Sequence, residues 1–267
     1  MAKGGTTMST RYGGWLLLGL LATAGPALAQ ESVLPFGKSL AGGEELPLPF
    51  GIGLTIYGQT QDYGLKRLAF DFPGIVIDPK TIAVDNSIQE ANLQLDVWVF
   101  PFLNLFGILG TVDGSTNVDL PAVPGLPVPL GTLRIEYDGE VYGLGANFVG
   151  GGDGWFASLT TIWTQENLSG DFDSNVEAWV ITPRVGLRDD HGAVWIGTTY
   201  QDVQETHEGS ITIPFLGPVA FDVELEAKNA WNIQIGAATA ISKRWHLHVE
   251  GGFAQRLSAE FGATARF

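Results

Sequence analysis

The chain has 267 residues, 36 of them glycine and none cysteine, and a formal charge of −15. That acidity excludes a nucleic-acid partner, because too few cations are present to neutralise a phosphate backbone. The absence of cysteine excludes a disulfide framework and a lipid-modified cysteine.

The start of the chain has the form of a secretory signal peptide. Lys3 and Arg11 make a basic region, Trp15 to Gly25 is a short apolar run, and Ala27-Leu28-Ala29 is an A-x-A cleavage site. The run is shorter than the about 20 residues a spanning helix needs. Removing residues 1–29 takes away two bases and no acid, which moves the formal charge from −15 to −17. Residues 30–50, rich in proline and glycine, are expected to form a periplasmic segment, with residues 51–267 as a single barrel domain.

Beyond residue 50 the chain alternates with period two, so that successive side chains face opposite sides of a strand. The expected strands begin with Ile52–Asp62, with Ile52, Leu54 and Ile56 on one face and Tyr57, Gln59 and Gln61 on the other. Ile88–Phe100 and Leu103–Val112 form a hairpin about Pro101. Gly131–Val149 follows a proline-rich connection, and its parity slips near Gly139–Gly143, which implies either a β-bulge or a strand continuing beyond the membrane. Trp155–Gln165, Val176–Arg188 and Ala193–Glu205 come next. Phe221–Ile241 carries the longest alternation, and Trp245–Arg256 and Leu257–Phe267 complete the set. Strands in soluble domains usually run about 5–6 residues, so runs this long with one apolar face point to a barrel standing in lipid. Only helices and closed barrels satisfy the backbone there. The expected fold is an all-β membrane protein, an antiparallel up-and-down transmembrane β-barrel of about ten strands, with eight or twelve as alternatives. Connections after even strands are short and those after odd strands long, apart from the last, which matches short periplasmic turns and longer outer loops. Aromatic residues cluster toward both ends, with Phe100, Phe102, Phe148, Trp155, Phe156, Trp195, Trp245 and Phe267 near the short turns and Tyr57, Trp163, Trp179, Tyr200 and Trp231 opposite. They are expected to form two interfacial girdles.

At the C-terminus, Leu257, Ala259, Phe261, Ala263, Ala265 and Phe267 share one face, opposite Ser258, Glu260, Gly262, Thr264 and Arg266. This stretch resembles the closing strand of Gram-negative outer-membrane β-barrels, whose terminal aromatic helps the assembly machinery recognise the strand. The resemblance implies an outer-membrane location in a Gram-negative bacterium, with lipid, lipopolysaccharide, periplasmic chaperones and the assembly machinery as partners. It also gives Phe267 the part of assembly signal.

The face opposite the apolar one carries Asp96, Glu224, Glu226, Lys228, His246, His248, Glu250, Arg256, Glu260 and Arg266, all expected to face the lumen. There they form either a salt-bridged plug or a narrow polar channel. His246, His248 and Glu250 have a metal-ligand spacing, but two ligands from one strand rarely suffice, and no metal or other cofactor is expected. Ser169–Asn175 could hold calcium weakly or be a solvated acidic loop. Asp189-Asp190-His191 invites comparison with outer-membrane proteases, yet it falls in a short turn on the periplasmic side, and no enzyme activity is expected. Three apolar outer loops carry Phe70, Phe72 and Ile75, then Val123 and Leu126, then Ile213, Phe215 and Leu216. They are expected to pack as a cap, to gather a small hydrophobic solute, or to touch lipopolysaccharide or another protomer. The leading functional expectation is a passive channel or binding barrel for such a solute, and the alternative is a structural or adhesive barrel with a plugged lumen.

Overall fold

The computed structural model describes residues 33–43, 45–70, 82–120, 131–170, 173–213 and 217–267, with backbone alone at 65–70, 120, 173 and 204–226. Among the described residues eleven strands run in chain order: β1 (Phe50–Phe70), β2 (Ala83–Phe100), β3 (Leu103–Leu120), β4 (Gly131–Gly152), β5 (Trp155–Gly170), β6 (Asp173–Arg188), β7 (Ala193–Ile213), β8 (Gly217–Ala227), β9 (Trp231–Ala240), β10 (Trp245–Phe253) and β11 (Arg256–Arg266). Every pairing is antiparallel, and β11 closes the cylinder on β1 from Gly51↔Arg266 to Gln61↔Arg256. The turns after β2, β4, β6 and β9 share one end with both ends of the barrel segment, here called the short-turn end.

The strands are longer than the periodicity implies. Much of what the sequence assigns to long connections, including 63–70, 83–87, 113–120 and 166–170, is strand. At the short-turn end the cylinder has ten strands, with β7 pairing to β9 and β9 to β10. Beyond the β10–β11 hairpin it has eight, because β8 takes over as the partner of both β7 and β1. The short hairpin that broke the rule of long outer loops is what permits this change. Its tip is a two-residue turn in which Ala254 sits at φ 100°, a conformation in which an L side chain is strained. Asn232 holds the tip in place. Its Oδ1 accepts from the amides of Gln255 and Arg256, each at 3.2 Å, and its Nδ2 donates to the Arg256 carbonyl at 2.8 Å.

Polarity inverts along the strands. On β4, the residues facing outward near the short turns are Tyr142, Leu144, Ala146 and Phe148, and farther along Arg134, Glu136, Asp138 and Glu140. The pairings of β4 with β3 and β5 run without a register shift, so no bulge lies at Gly139–Gly143. The strand keeps its facing and changes solvent. β2 and β3 behave alike: Leu95 and Leu109 face outward in the first zone, Asp85 and Asp113 in the second. In the first zone Leu144 is 65% exposed and Leu257 71%. A continuous belt of such residues is untenable in water and ordinary in lipid, so the ten-strand section is a transmembrane β-barrel. In the second zone the apolar side chains turn inside, as in a soluble barrel. Val112, Tyr137, Leu168 and Val176 form one buried cluster, and Tyr63, Ile82 and Val84 form another.

Large inward side chains lie flat along the wall on directly paired glycines: Asp96 on Gly51, Phe106 on Gly145, Tyr137 on Gly114, Trp195 on Gly236 and His248 on Gly262. A Cβ at any of these glycines would overlap the side chain above it. A barrel of ten strands is narrow, and this arrangement keeps its centre open. Three girdle assignments are corrected: Trp195 and Phe156 face inward and meet edge to face at 6.5 Å, and Tyr57 faces the lumen between Glu90 and Glu260.

Candidate solute chamber

Inside the ten-strand section lies a cavity of about 600 Å³, lined from Pro47 and Trp98 at the short-turn end to Gln201 and Arg256 at the other. This volume is in the range of pockets that hold small molecules. A void of about 40 Å³ continues it among Tyr63, Asn86, Tyr137, Leu168 and Val176, which is little more than the space of one water. The apolar clusters therefore cover the far side of the chamber.

Several of its polar groups are paired across the lumen, while Asn92 Oδ1, Gln234 Nε2 and His246 Nε2 are buried with no partner among the described residues. Arg184 forks onto Glu250, with Nε donating to Oε2 at 2.8 Å and Nη2 to Oε1 at 3.1 Å. Trp195 Nε1 donates to the same carboxylate at 2.6 Å, and Arg184 Nη1 donates to Thr160. His248 and Glu260 share a hydrogen bond of 2.8 Å. Arg256 is 4% exposed and donates to Gln61 and Gln201, closing the chamber just below the apolar layer. At the short-turn end Arg266 donates to Asp96 Oδ1 at 3.0 Å, where Asn104 also donates at 2.7 Å, and its guanidinium lies over the Trp98 ring. His246 lines the chamber near this end.

Residues 33–43 and 45–49 lie across part of that mouth. The Phe36 amide donates to Val99, the Trp98 amide to Pro49, and Arg266 to the Leu48 carbonyl. Glu45 meets Lys243 at 2.6 Å, and the ammonium holds its carboxyl below the usual carboxylate range. The Asp189 turn is at the same end; Asp189 Oδ1 accepts from the His191 and Gly192 amides, which is ordinary turn chemistry.

The remaining residues singled out by sequence are placed differently. Lys228 does not face the lumen: it is half exposed beyond the hairpin tip, with Nζ 3.7 Å from Asp62 on the outer surface. The reason is a reversal of facing between β8 and β9, since Ala227 packs inward on the Tyr63 cluster while Trp231 and Ile233 point outward. Glu224 and Glu226 belong to β8, paired with Arg67 and Gly64 in the eight-strand zone, not in the ten-strand lumen. Phe70 and Ile213 end β1 and β7, where only the backbone is described. Phe72, Ile75, Val123, Leu126, Phe215 and Leu216 lie outside the described residues, as does most of the proposed cap. Phe267 exchanges backbone hydrogen bonds with Phe50 at 3.0 and 3.1 Å, their rings stacked at 6.4 Å. Arg184 and Glu90 are further lumen residues, outside the set expected from the sequence. The outward Ile181 and Val185 flank Arg184 in parity, and that was the available signal.

No family model matches the chain, and no curated protein does. Among solved structures it is similar to the transport unit of the autotransporter AIDA-I from Escherichia coli, with 12% identity over 81% of this chain and 90% of that one and a TM-score of 0.44. It is similar to the outer membrane protein OprG from Pseudomonas aeruginosa at 13% identity, over 83% and 98%, with a TM-score of 0.41. The outer membrane protease OmpT from Escherichia coli aligns at 8% identity over 82% and 95%, with a TM-score of 0.44.

Proposed function

We propose that this protein is an outer-membrane β-barrel that admits a small solute into its lumen, as a passive channel or binding barrel. The observation that carries the reading is the chamber of about 600 Å³ inside the lipid-facing section. The side chains that could have filled it lie flat on glycines instead. The reading is one of binding and passage, without chemistry. Lipid and lipopolysaccharide would meet the apolar belt, and the β11–β1 seam ending at Phe267 would be the element presented to the assembly machinery and its chaperones.

A second reading, a barrel with no through path, is favoured by the apolar layer of Val112, Tyr137, Leu168 and Val176. Such a layer conducts only when it wets. Conductance of the refolded protein in planar bilayers, after a heat-dependent gel shift has confirmed folding, separates the two. The channel reading expects a small steady conductance that rises when Val176→Ser polarises the layer. Silence from both the folded wild type and the folded variant would favour the plugged barrel.

A further inference from the structure

The chamber has two unlike walls. On β3 to β6 the inward residues include Phe106, Ile108, Val141, Ile162 and Val180, and all five line the cavity. Ile162 pairs directly with Val180 and with Gly145, over which Phe106 lies, so these side chains form a continuous apolar surface. Opposite it, β2, β1, β11 and β10 bring Glu90, Tyr57, Glu260 and Glu250 into one unbroken cross-strand row, by the pairs Tyr57↔Glu90, Tyr57↔Glu260 and Glu250↔Glu260. Three carboxylates stand in that row. Glu250 is neutralised by Arg184. Glu260 has the His248 ring. Glu90 accepts from Asn92 at 2.8 Å and, among the described residues, makes no ion pair.

We infer that the chamber takes a small amphipathic molecule bearing an ammonium group, its apolar part on the Phe106–Ile162–Val180 wall and its N–H donors on Glu90 and Glu260. The inference rests on the lumen being open to solutes, as proposed above, and narrows the class it admits. The physical reasons are direct. An unpaired carboxylate facing a low-dielectric wall gains most from a cation that brings its own apolar surface. A carboxylate ligand would add like charge to a row that already has it. At either end Arg266 pairs with Asp96, and Arg256 Nη1 donates to Gln61 and Gln201 while its Nε has no partner among the described residues; the three carboxylates of the row lie between them.

Titration calorimetry of the refolded barrel in non-ionic micelles tests this, with empty micelles subtracted. The probes are phenethylammonium, its neutral isostere 2-phenylethanol, and phenylacetate. The ammonium is expected to bind roughly tenfold tighter than the alcohol, the size of a charged hydrogen bond, and the anion weakest. Glu90→Gln, and separately Glu260→Gln, should bring the ammonium down toward the alcohol, while Ile162→Ser weakens both. All variants must still show the heat-dependent gel shift. Equal affinity for the three probes, or an ammonium preference untouched by both glutamate variants, overturns the inference. Loss of all probe binding alongside a steady conductance overturns the ligand class and leaves the channel standing; loss of both overturns the channel as well.

Discussion

Arg184 on β6 reaches past β7 and β9 to grip Glu250 on β10 with two parallel hydrogen bonds. Their side chains are 20% and 10% exposed, so both charges are largely withdrawn from water. Breaking one half of such a pair strands the other, at a cost of about 3–5 kcal/mol, whereas replacing both with apolar residues is often neutral. Glu250→Gln alone should therefore lower the urea midpoint of the refolded barrel markedly, and Arg184→Met with Glu250→Leu should restore most of it. A double variant as weak as the single would show that the pair itself, not the stranded charge, sets the cost.

The strained turn offers a gain. Ala254 at φ 100° pays the left-handed penalty for a residue with a Cβ, about 1–2 kcal/mol. Ala254→Gly should raise stability by about 1 kcal/mol, partly offset by glycine's greater freedom when unfolded. The midpoint of heat-induced gel-mobility change would record it.

Flat packing on glycine gives a paired prediction. Gly145→Val drives a side chain into the Phe106 ring and should cost about 1–3 kcal/mol by overpacking. Adding Phe106→Ala makes room, so the double variant should recover stability relative to Gly145→Val. Additive losses in the unfolding midpoints would count against the arrangement.

One acid on the outer surface is set against its neighbours. Asp85 faces Asp62 in register, and its pKa is raised by a hydrogen bond to that carboxylate, with partial desolvation and the Asp62 and Asp119 charges adding and Lys228 opposing. The folded state thus holds this proton more tightly than the unfolded chain, so the stability it contributes is present in acid and is lost as pH rises through the usual carboxylate range and just above it. Asp85→Asn mimics the protonated form and should stabilise the barrel at neutral pH by a few tenths of a kcal/mol, since the site is exposed, with no gain in acid. Unfolding midpoints at pH 3 and pH 7 compare the two.

How much of this was legible in the sequence depends on where facing and solvent change together. On β4 the facing holds while the surroundings pass from lipid to water, so the apolar parity slips at Gly139–Gly143, visible but open to two explanations. From Phe221 to Ile241 both facing and surroundings reverse at residues 228–230. The reversals cancel, the written alternation runs on unbroken, and two strands look like one. The same cancellation is why alternation alone places Lys228 in the lumen, while the structure puts it beside Asp62 on the outer surface. Trp195 misled differently: an aromatic near a membrane end is usually an interfacial anchor, and only its register with Gly236 shows the ring turned inward. The chamber itself was illegible, since an empty space depends on which side chains lie flat, and alternation does not encode that.

The change from ten strands to eight bears on the order in which the molecule can assemble. β1 has two successive partners on its far side, β11 near the short turns and β8 beyond them. The contacts between β1 and β8 need nothing after Ala227, so the upper ring can close while the last hairpin is still unpaired. The β10–β11 hairpin fills the gap between β9 and β1, its tip held by Asn232. Closure of the barrel is thus shared between two separate seams on one strand, and Asn232 marks where the second ends.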